Sequence, residues 1–530
     1  MLGSRLCYPG NEPGIRSAVM PPDSPTLPPR LSTGVAGLDD IVMGGLEPGR
    51  VYLIEGTPGT GKTTLSLQFL MAGRDAGETV LYVTLSESEP ELRAVAASHG
   101  WDLTGVSIFE LVSEAGLDPD SEQTVLHPSE LELGETTRGV MARVDTLRPS
   151  RVVFDSLSEM RLLAQSPLRY RRQVLALKQF FTQRGCTVFL LDDRTGSDTD
   201  LQLHSIAHGV LTLEQLALDY GAERRRLRVV KLRGSRYRGG YHDFDIELGG
   251  LEVYPRLVAS EHHLDFVPAP ASTGNAGLDR LLGGGLVPGT NTLLIGPSGA
   301  GKTTTAVCAV LAALRRGDRA AYFLFDEGIK TLLARASSLG MDLGRHIASG
   351  ALTVRQVDPA ELSPGEFAGL VRGAVERDGA RILVIDSLNA YLQSMPGERH
   401  LLLQMHELLS YLNQQGVITL MVLGQHGLVG ETRTDLDLSY LADAIMLLRY
   451  FEANGEVRKA VSVVKTRTAA HEFSIREFQL GTGGLHVGEP VRGFRGLLSG
   501  TPVLASTGPA LPHDPPAQAP SGGSSLPTGG

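Results

Sequence analysis

Two stretches of this chain carry the residue types and spacing of a polyphosphate cradle. Gly56-Thr57-Pro58-Gly59-Thr60-Gly61-Lys62-Thr63 and Gly296-Pro297-Ser298-Gly299-Ala300-Gly301-Lys302-Thr303 both follow the pattern G-x-x-x-x-G-K-[ST]. Glycines let the backbone curl so that its N–H groups face phosphate oxygens, the lysine reaches the outer phosphates, and the hydroxyl takes a place on Mg²⁺. The nucleotide-binding candidates are Gly56, Thr57, Gly59, Thr60, Gly61, Lys62, Thr63 and Thr64 in the first copy. In the second they are Gly296, Ser298, Gly299, Ala300, Gly301, Lys302, Thr303 and Thr304. One match in a glycine-rich chain could be chance; two in matching surroundings are not.

The acids that such a cradle needs sit at matched places. Arg151-Val152-Val153-Phe154-Asp155-Ser156 and Arg381-Ile382-Leu383-Val384-Ile385-Asp386-Ser387 are apolar runs closed by Asp-Ser. Asp155 and Asp386 are therefore expected on the metal side, with Thr63 and Thr303. Thr79 to Leu85 and Ala320 to Phe325 are further buried-strand runs, ending in Ser86-Glu87 and Asp326-Glu327. Parallel α/β sheets bind ligands at this end of their strands. Near the end of each half, Lys231-Leu232-Arg233 and Lys465-Thr466-Arg467 alternate, which puts both basic side chains of each pair on one face.

Around these residues the chain reads as a tandem duplication. Ser32-Thr33-Gly34-Val35-Ala36-Gly37-Leu38-Asp39 returns as Ser272-Thr273-Gly274-Asn275-Ala276-Gly277-Leu278-Asp279, at the spacing that separates Lys62 from Lys302. Helices are expected from Lys62 to about Ala72, from about Tyr170 to Arg184 with Val174, Leu175, Leu177 and Phe181 on one face, and from about His400 to Gln415. Trp101, in Gly100-Trp101-Asp102-Leu103, is expected in the core. Strands alternating with helices imply a mostly parallel, twisted sheet flanked by helices in each half.

The expected divisions are an arm at 1–30 and a tail at 491–530, both too rich in Pro, Gly and small residues to fold, around domains at 31–255 and 256–490. At 530 residues, with 42% hydrophobic and 20% charged content and a net charge of −10, a nucleic-acid coat and a membrane surface are both disfavoured. Three scattered cysteines, with neither metal spacing nor a disulfide framework, and the lack of a signal-peptide or membrane-spanning run point to the cytoplasm.

Taken together, the doubled introduction, the doubled G-[WM]-D-L segment, the K-x-R strands and Ser474-Ile475-Arg476-Glu477-Phe478 resemble the KaiC family, circadian clock ATPases and their bacterial and archaeal relatives. The resemblance implies two tandem RecA-like phosphate-loop NTPase domains, with ATP and Mg²⁺ as ligands and a homohexameric double ring holding ATP between neighbouring chains. It makes Lys231, Arg233, Lys465 and Arg467 contacts to the neighbour's phosphate. It gives Glu87, Asp326 and Glu327 the activation of the attacking group; Ser86 departs from the family's acidic pair and cannot accept the proton. It aligns Ser439 and Tyr440 with a phosphorylated Ser-Thr pair, so Ser439 is the candidate autophosphorylation site, with Thr432 and Thr434 nearby. A regulatory role through an unidentified protein partner is implied as well. An ATP-gated scaffold with little turnover is the alternative. A DNA-dependent recombinase is disfavoured because the stretches at 192–200 and 430–437 are net acidic.

Overall fold

The computed structural model describes residues 30–111, 128–164, 166–193, 201–218, 221–393, 400–425, 438–453, 455–468, 470–482, 484–497 and 503–504. Residues 194–200 of the first acidic stretch, the whole of the second with Thr432 and Thr434, and most of both termini lie outside the described residues. The chain divides into two compact units, one formed by 1–216 and 224–255, the other by 217–223 and 256–530.

The first unit is built on strands β1 (Val51–Gly56), β2 (Val80–Thr84), β3 (Ser107–Glu110), β4 (Arg151–Asp155), β5 (Thr187–Asp193), β6 (Gly209–Leu216), β7 (Arg224–Leu232), β8 (His242–Glu247) and β9 (Gly250–Tyr254). They form one sheet in the order β3-β2-β4-β5-β1-β6-β7-β8-β9. Pairing is parallel from β3 to β6 and antiparallel from β6 to β9. Every residue of β1, β2 and β4 is buried, because helices cover both faces and no side chain can point to water. That is why these strands read as continuous apolar runs. One core, around Tyr52, Phe69 and Phe189, lies on one face, and another, around Phe154, Leu177 and Phe181, on the other.

The second unit repeats the plan with β10 (Asn291–Gly296), β11 (Arg319–Leu324), β12 (Leu352–Gln356), β13 (Ala380–Asp386), β14 (Ile418–Gly424), β15 (Ala444–Ala453), β16 (Glu456–Thr466), β17 (Arg476–Gly481) and β18 (Gly484–Pro490). Their order, β12-β11-β13-β14-β10-β15-β16-β17-β18, is that of the first sheet. Two mostly parallel sheets flanked by helices are thus RecA-like domains in tandem.

The S-T-G-x-x-G-L-D introduction proves to be a self-closing turn. Asp39 accepts from Ser32 Oγ at 2.6 Å and from Thr33 N at 2.8 Å, and Ser32 Oγ accepts from Gly34 N at 3.1 Å. Asp279 does the same for Ser272 and Thr273 at 2.6 and 2.8 Å. The motif is therefore architectural and leads the chain into β1 and β10.

Three expectations need correction. The tail expected to be unfolded from 491 begins inside the fold: Phe494–Arg495 pairs antiparallel with Val503–Leu504, and Leu497 is buried in a small apolar cluster with Phe451. The helix expected from Tyr170 spans Pro167–Gln183 and buries Tyr170, Val174, Leu177 and Phe181, but Leu175 is exposed. It follows Val174 directly and so lies about 100° around the helix from it. Arg151 and Arg381 are not equivalent either. Val80 pairs with Arg151 whereas Ala320 pairs with Ile382, so the second strand carries one extra residue at its start.

Arg151 is 2% exposed and is fully engaged. It forks Glu78 at 2.8 and 3.0 Å and donates to the carbonyls of Ser32 and Phe69 at 2.7 and 2.9 Å. Removing a buried cation that serves four acceptors leaves them without partners. Arg151→Met is therefore expected to lower the stability of the first unit by about 3 kcal/mol, read as an earlier first transition in urea unfolding.

Candidate nucleotide sites

Each phosphate loop runs from the end of a central strand into a helix, Lys62–Asp75 or Lys302–Arg315. The helix N-caps, Gly61 and Gly301, have φ of 92° and 107°, a left-handed conformation that glycine alone adopts without penalty. A Cβ on Gly61 would also lie 2.7 Å from Ile246 Cδ1. The free N–H groups of such a helix start attract anions. Thr60 and Ala300 are wholly buried, so they face a ligand only through their backbone.

Lys62 Nζ donates to the carbonyls of Gly56 and Thr57 at 2.9 and 3.0 Å and pairs with Asp193 at 2.7 Å. Lys302 Nζ donates to Gly296 and Pro297, both at 2.8 Å. Burial holds the proton affinity of Lys302 below that of an ordinary lysine, against the opposing pull of Asp386 and Asp326. The residue facing Gly296 across the sheet is Gly424, where the first unit has Asp193 facing Gly56. Lys302 thus lacks the carboxylate that Lys62 holds.

The acids meet at the carboxyl ends of the strands. Asp155 Oδ2 accepts from the hydroxyl of Tyr82 at 2.6 Å, and Asp386 Oδ2 from Tyr322 at 2.8 Å. Burial raises the pKa of Asp155; Tyr82 opposes this and Asp193 adds to it. Burial raises Asp386 too, against hydrogen bonds from Tyr322 and Thr303. Glu87 is raised first by burial, then by Asp155, Glu91 and Asp193. Its Oε2 is buried with no hydrogen-bond partner among the described residues. Such crowded carboxylates would be relieved by a divalent cation, so the donor set fits Mg²⁺.

Among the described residues no group of three or more His, Cys, Asp or Glu could hold a metal unaided. The protein's share would be the hydroxyl of Thr63 or Thr303 and the carboxylate of Asp155 or Asp386, with phosphate oxygens and water completing the shell. When bound, the cation would neutralise charge on the outer phosphates.

The second site opens into a cavity of about 450 Å³ lined by Ser298, Lys302, Thr303, Asp326, Glu327 and Asp386, among others. Asp326 accepts a hydrogen bond from Ser387 Oγ. Glu327 is forked by Arg335, one contact being 2.9 Å.

The basic pairs lie apart from their own phosphate loops, on backbone carbonyls at the end of the short helix Leu201–Ile206 before β6 or of the turn before β15. Lys231 Nζ donates to His204 and Ala207, and Arg233 to Ser205 at 2.9 Å. Lys465 Nζ donates to Ser439 at 2.7 Å and Ala442 at 2.8 Å, and Arg467 to Tyr440 at 3.3 Å. Ser439 opens a short 3-10 turn, Ser439–Leu441. Trp101, expected in the core, is partly buried against it.

Tyr82, Tyr322, Asp193 and Arg335 carry site geometry that the sequence reading did not assign. The tyrosines were legible in principle, since they are the same polar residue at the same place in both copies of an apolar run. Arg335 was not, because it has no counterpart in the first half.

A duplicated phosphate loop at the carboxyl edge of a parallel sheet, with a buried aspartate beside it, defines a tandem RecA-like phosphate-loop NTPase. A profile of the KaiC ATPase family matches residues 31–258 and 271–492, and the chain belongs to that family. It is 28% identical over 490 residues to the circadian clock protein KaiC3 of Synechocystis sp. (strain ATCC 27184 / PCC 6803 / Kazusa), covering 90% of this chain and 95% of the relative. It is 27% identical over 489 residues to the circadian clock oscillator protein KaiC of Synechococcus elongatus, covering 89% and 92%. No helix among the described residues is long and apolar enough to cross a membrane.

Proposed function

We propose that this protein is a cytoplasmic homohexameric double ring that binds and hydrolyses MgATP at both sites, phosphorylates its own Ser439, and signals to a protein partner. Residues 31–255 and 256–490 would each supply one site per chain. The observation that carries the reading is the complete set present in both copies: cradle lysine, metal-side hydroxyl and aspartate, and an activating carboxylate.

In hydrolysis, Glu87 or Glu327 orients a water and accepts its proton, with Asp326 assisting in the second site. The water oxygen bonds to the γ-phosphorus while ADP leaves with the electron pair of the broken bond. Lys231 and Arg233, or Lys465 and Arg467, reach across to the neighbour's phosphate and stabilise charge as it develops. In protein phosphorylation the Ser439 hydroxyl replaces water. The support for Ser439 is its place on the carbonyl turn that holds Lys465 and Arg467, which would bring it to the neighbour's second site together with them.

The scaffold reading, in which ATP sets the assembly and little is turned over, draws on Ser86 in the first half and on the capture of Glu327 by Arg335 in the second. One experiment weighs both. After incubation with Mg-ATP, mass spectrometry is expected to find phosphate on the Ser439 peptide, absent in Ser439→Ala, and sizing of the same sample to find six chains. An unmodified Ser439 peptide would remove the autokinase, and a monomer under these conditions would remove the ring.

A further inference from the structure

We propose that Arg335 is a latch on the second site, a positioning residue that holds Glu327 by both carboxylate oxygens and so restrains it as a proton acceptor. The inference rests on the reading of the second site as an ATP site.

Arg335 stands on the helix Ile329–Ser338, which follows directly from Asp326-Glu327, and it lines the same cavity as Lys302, Thr303 and Asp386. Its two terminal nitrogens donate to the two oxygens of Glu327, one of them at 2.9 Å, with the arginine side chain 40% and the glutamate 22% exposed. A bidentate guanidinium is the strongest partner a carboxylate finds in a protein. A carboxylate whose oxygens both accept from a cation is poorly placed to take a proton from water.

The first site supplies the comparison within the same chain. Arg335 lies five residues before Gly340 of the G-M-D-L segment, and five residues before Gly100 of G-W-D-L stands Val95. Val95 packs against the core. Glu87 accordingly has Asp155, Glu91 and Asp193 as the charges that raise its pKa, and among the described residues its buried Oε2 accepts no hydrogen bond from an arginine. Duplication gave both sites the same glutamate, and Arg335 is the residue that sets the two glutamates themselves apart: Glu87 is open to a proton, Glu327 is held.

The step that Arg335 restrains is the transfer of the water proton to Glu327 as the γ-phosphorus–oxygen bond forms and ADP departs. Freed from the fork, Glu327 gains a general base's full contribution, and the second site hydrolyses faster. The latch therefore slows the loss of ATP from the site beside which Ser439 is proposed to be modified.

The test uses full-length Lys62→Ala protein, so that only the second site turns over. MgATP affinity and single-turnover hydrolysis are measured for Arg335, Arg335→Lys and Arg335→Ala, each with and without Glu327→Gln. Arg335→Ala is expected to raise the single-turnover rate about tenfold, with Arg335→Lys in between and affinity changed by less than about threefold. The gain should vanish once Glu327→Gln is present, because the latch has nothing left to hold. A rate in Arg335→Ala that is unchanged or lower, with MgATP still bound, overturns the latch, and so does a gain that persists with Glu327→Gln. Failure of the Lys62→Ala protein to bind MgATP at all would instead remove the second ATP site, and the latch with it.

Discussion

Arg233→Ala is expected to slow hydrolysis at the first site by about 10³-fold while leaving MgATP bound. The guanidinium lies on the Ser205 carbonyl at 2.9 Å, at the end of β7 and apart from its own phosphate loop. In the proposed ring its effect falls on developing charge in another chain. Arg233→Ala, Lys302→Ala chains keep a first cradle that lacks its neighbour's arginine. Lys62→Ala, Lys302→Ala chains keep the arginine without a cradle. Each alone is expected to be inactive, and mixing the two before assembly should restore part of the rate. No recovery on mixing would place Arg233 in the service of its own chain.

Glu87→Gln is expected to cost the first site about 10² to 10³ in single-turnover rate, measured in a Lys302→Ala background. The amide keeps the size and loses the proton acceptor. Its pH dependence has a definite sign. Hydrolysis needs Glu87 ionised, and burial together with Asp155, Glu91 and Asp193 holds its pKa above the ordinary 4.5. The rate should therefore fall as pH drops through a value above 4.5, and the Glu87→Gln variant should lose that limb. An acid limb at or below the usual glutamate value would show that Glu87 is not the group titrating.

What could be read from sequence follows from what duplication preserves. The strands of the parallel half are buried on both faces, so they appear as uninterrupted apolar runs such as Val51 to Ile54 and Val152 to Phe154. The phosphate loop declares itself because its glycines, lysine and hydroxyl act through local geometry. Contacts between distant segments are less legible: nothing near Tyr82 in sequence says that its hydroxyl lies on Asp155, and Asp193 reads only as an acid in a polar loop until the sheet sets it beside Lys62.

The one-residue offset that separates Arg151 from Arg381 can be counted back from the shared Asp-Ser, four residues against five, but only strand register shows that it decides which arginine is buried. Arg335 is the extreme case. It belongs to neither the motif nor the repeat, and its importance rests wholly on the glutamate it meets.

Counting nucleotides is the most direct test of two complete ATP sites in each chain. Purified protein saturated with Mg-ATP is expected to hold two nucleotides per chain, Lys62→Ala and Lys302→Ala one each, and the double variant none. Wild-type occupancy in the double variant would contradict the account.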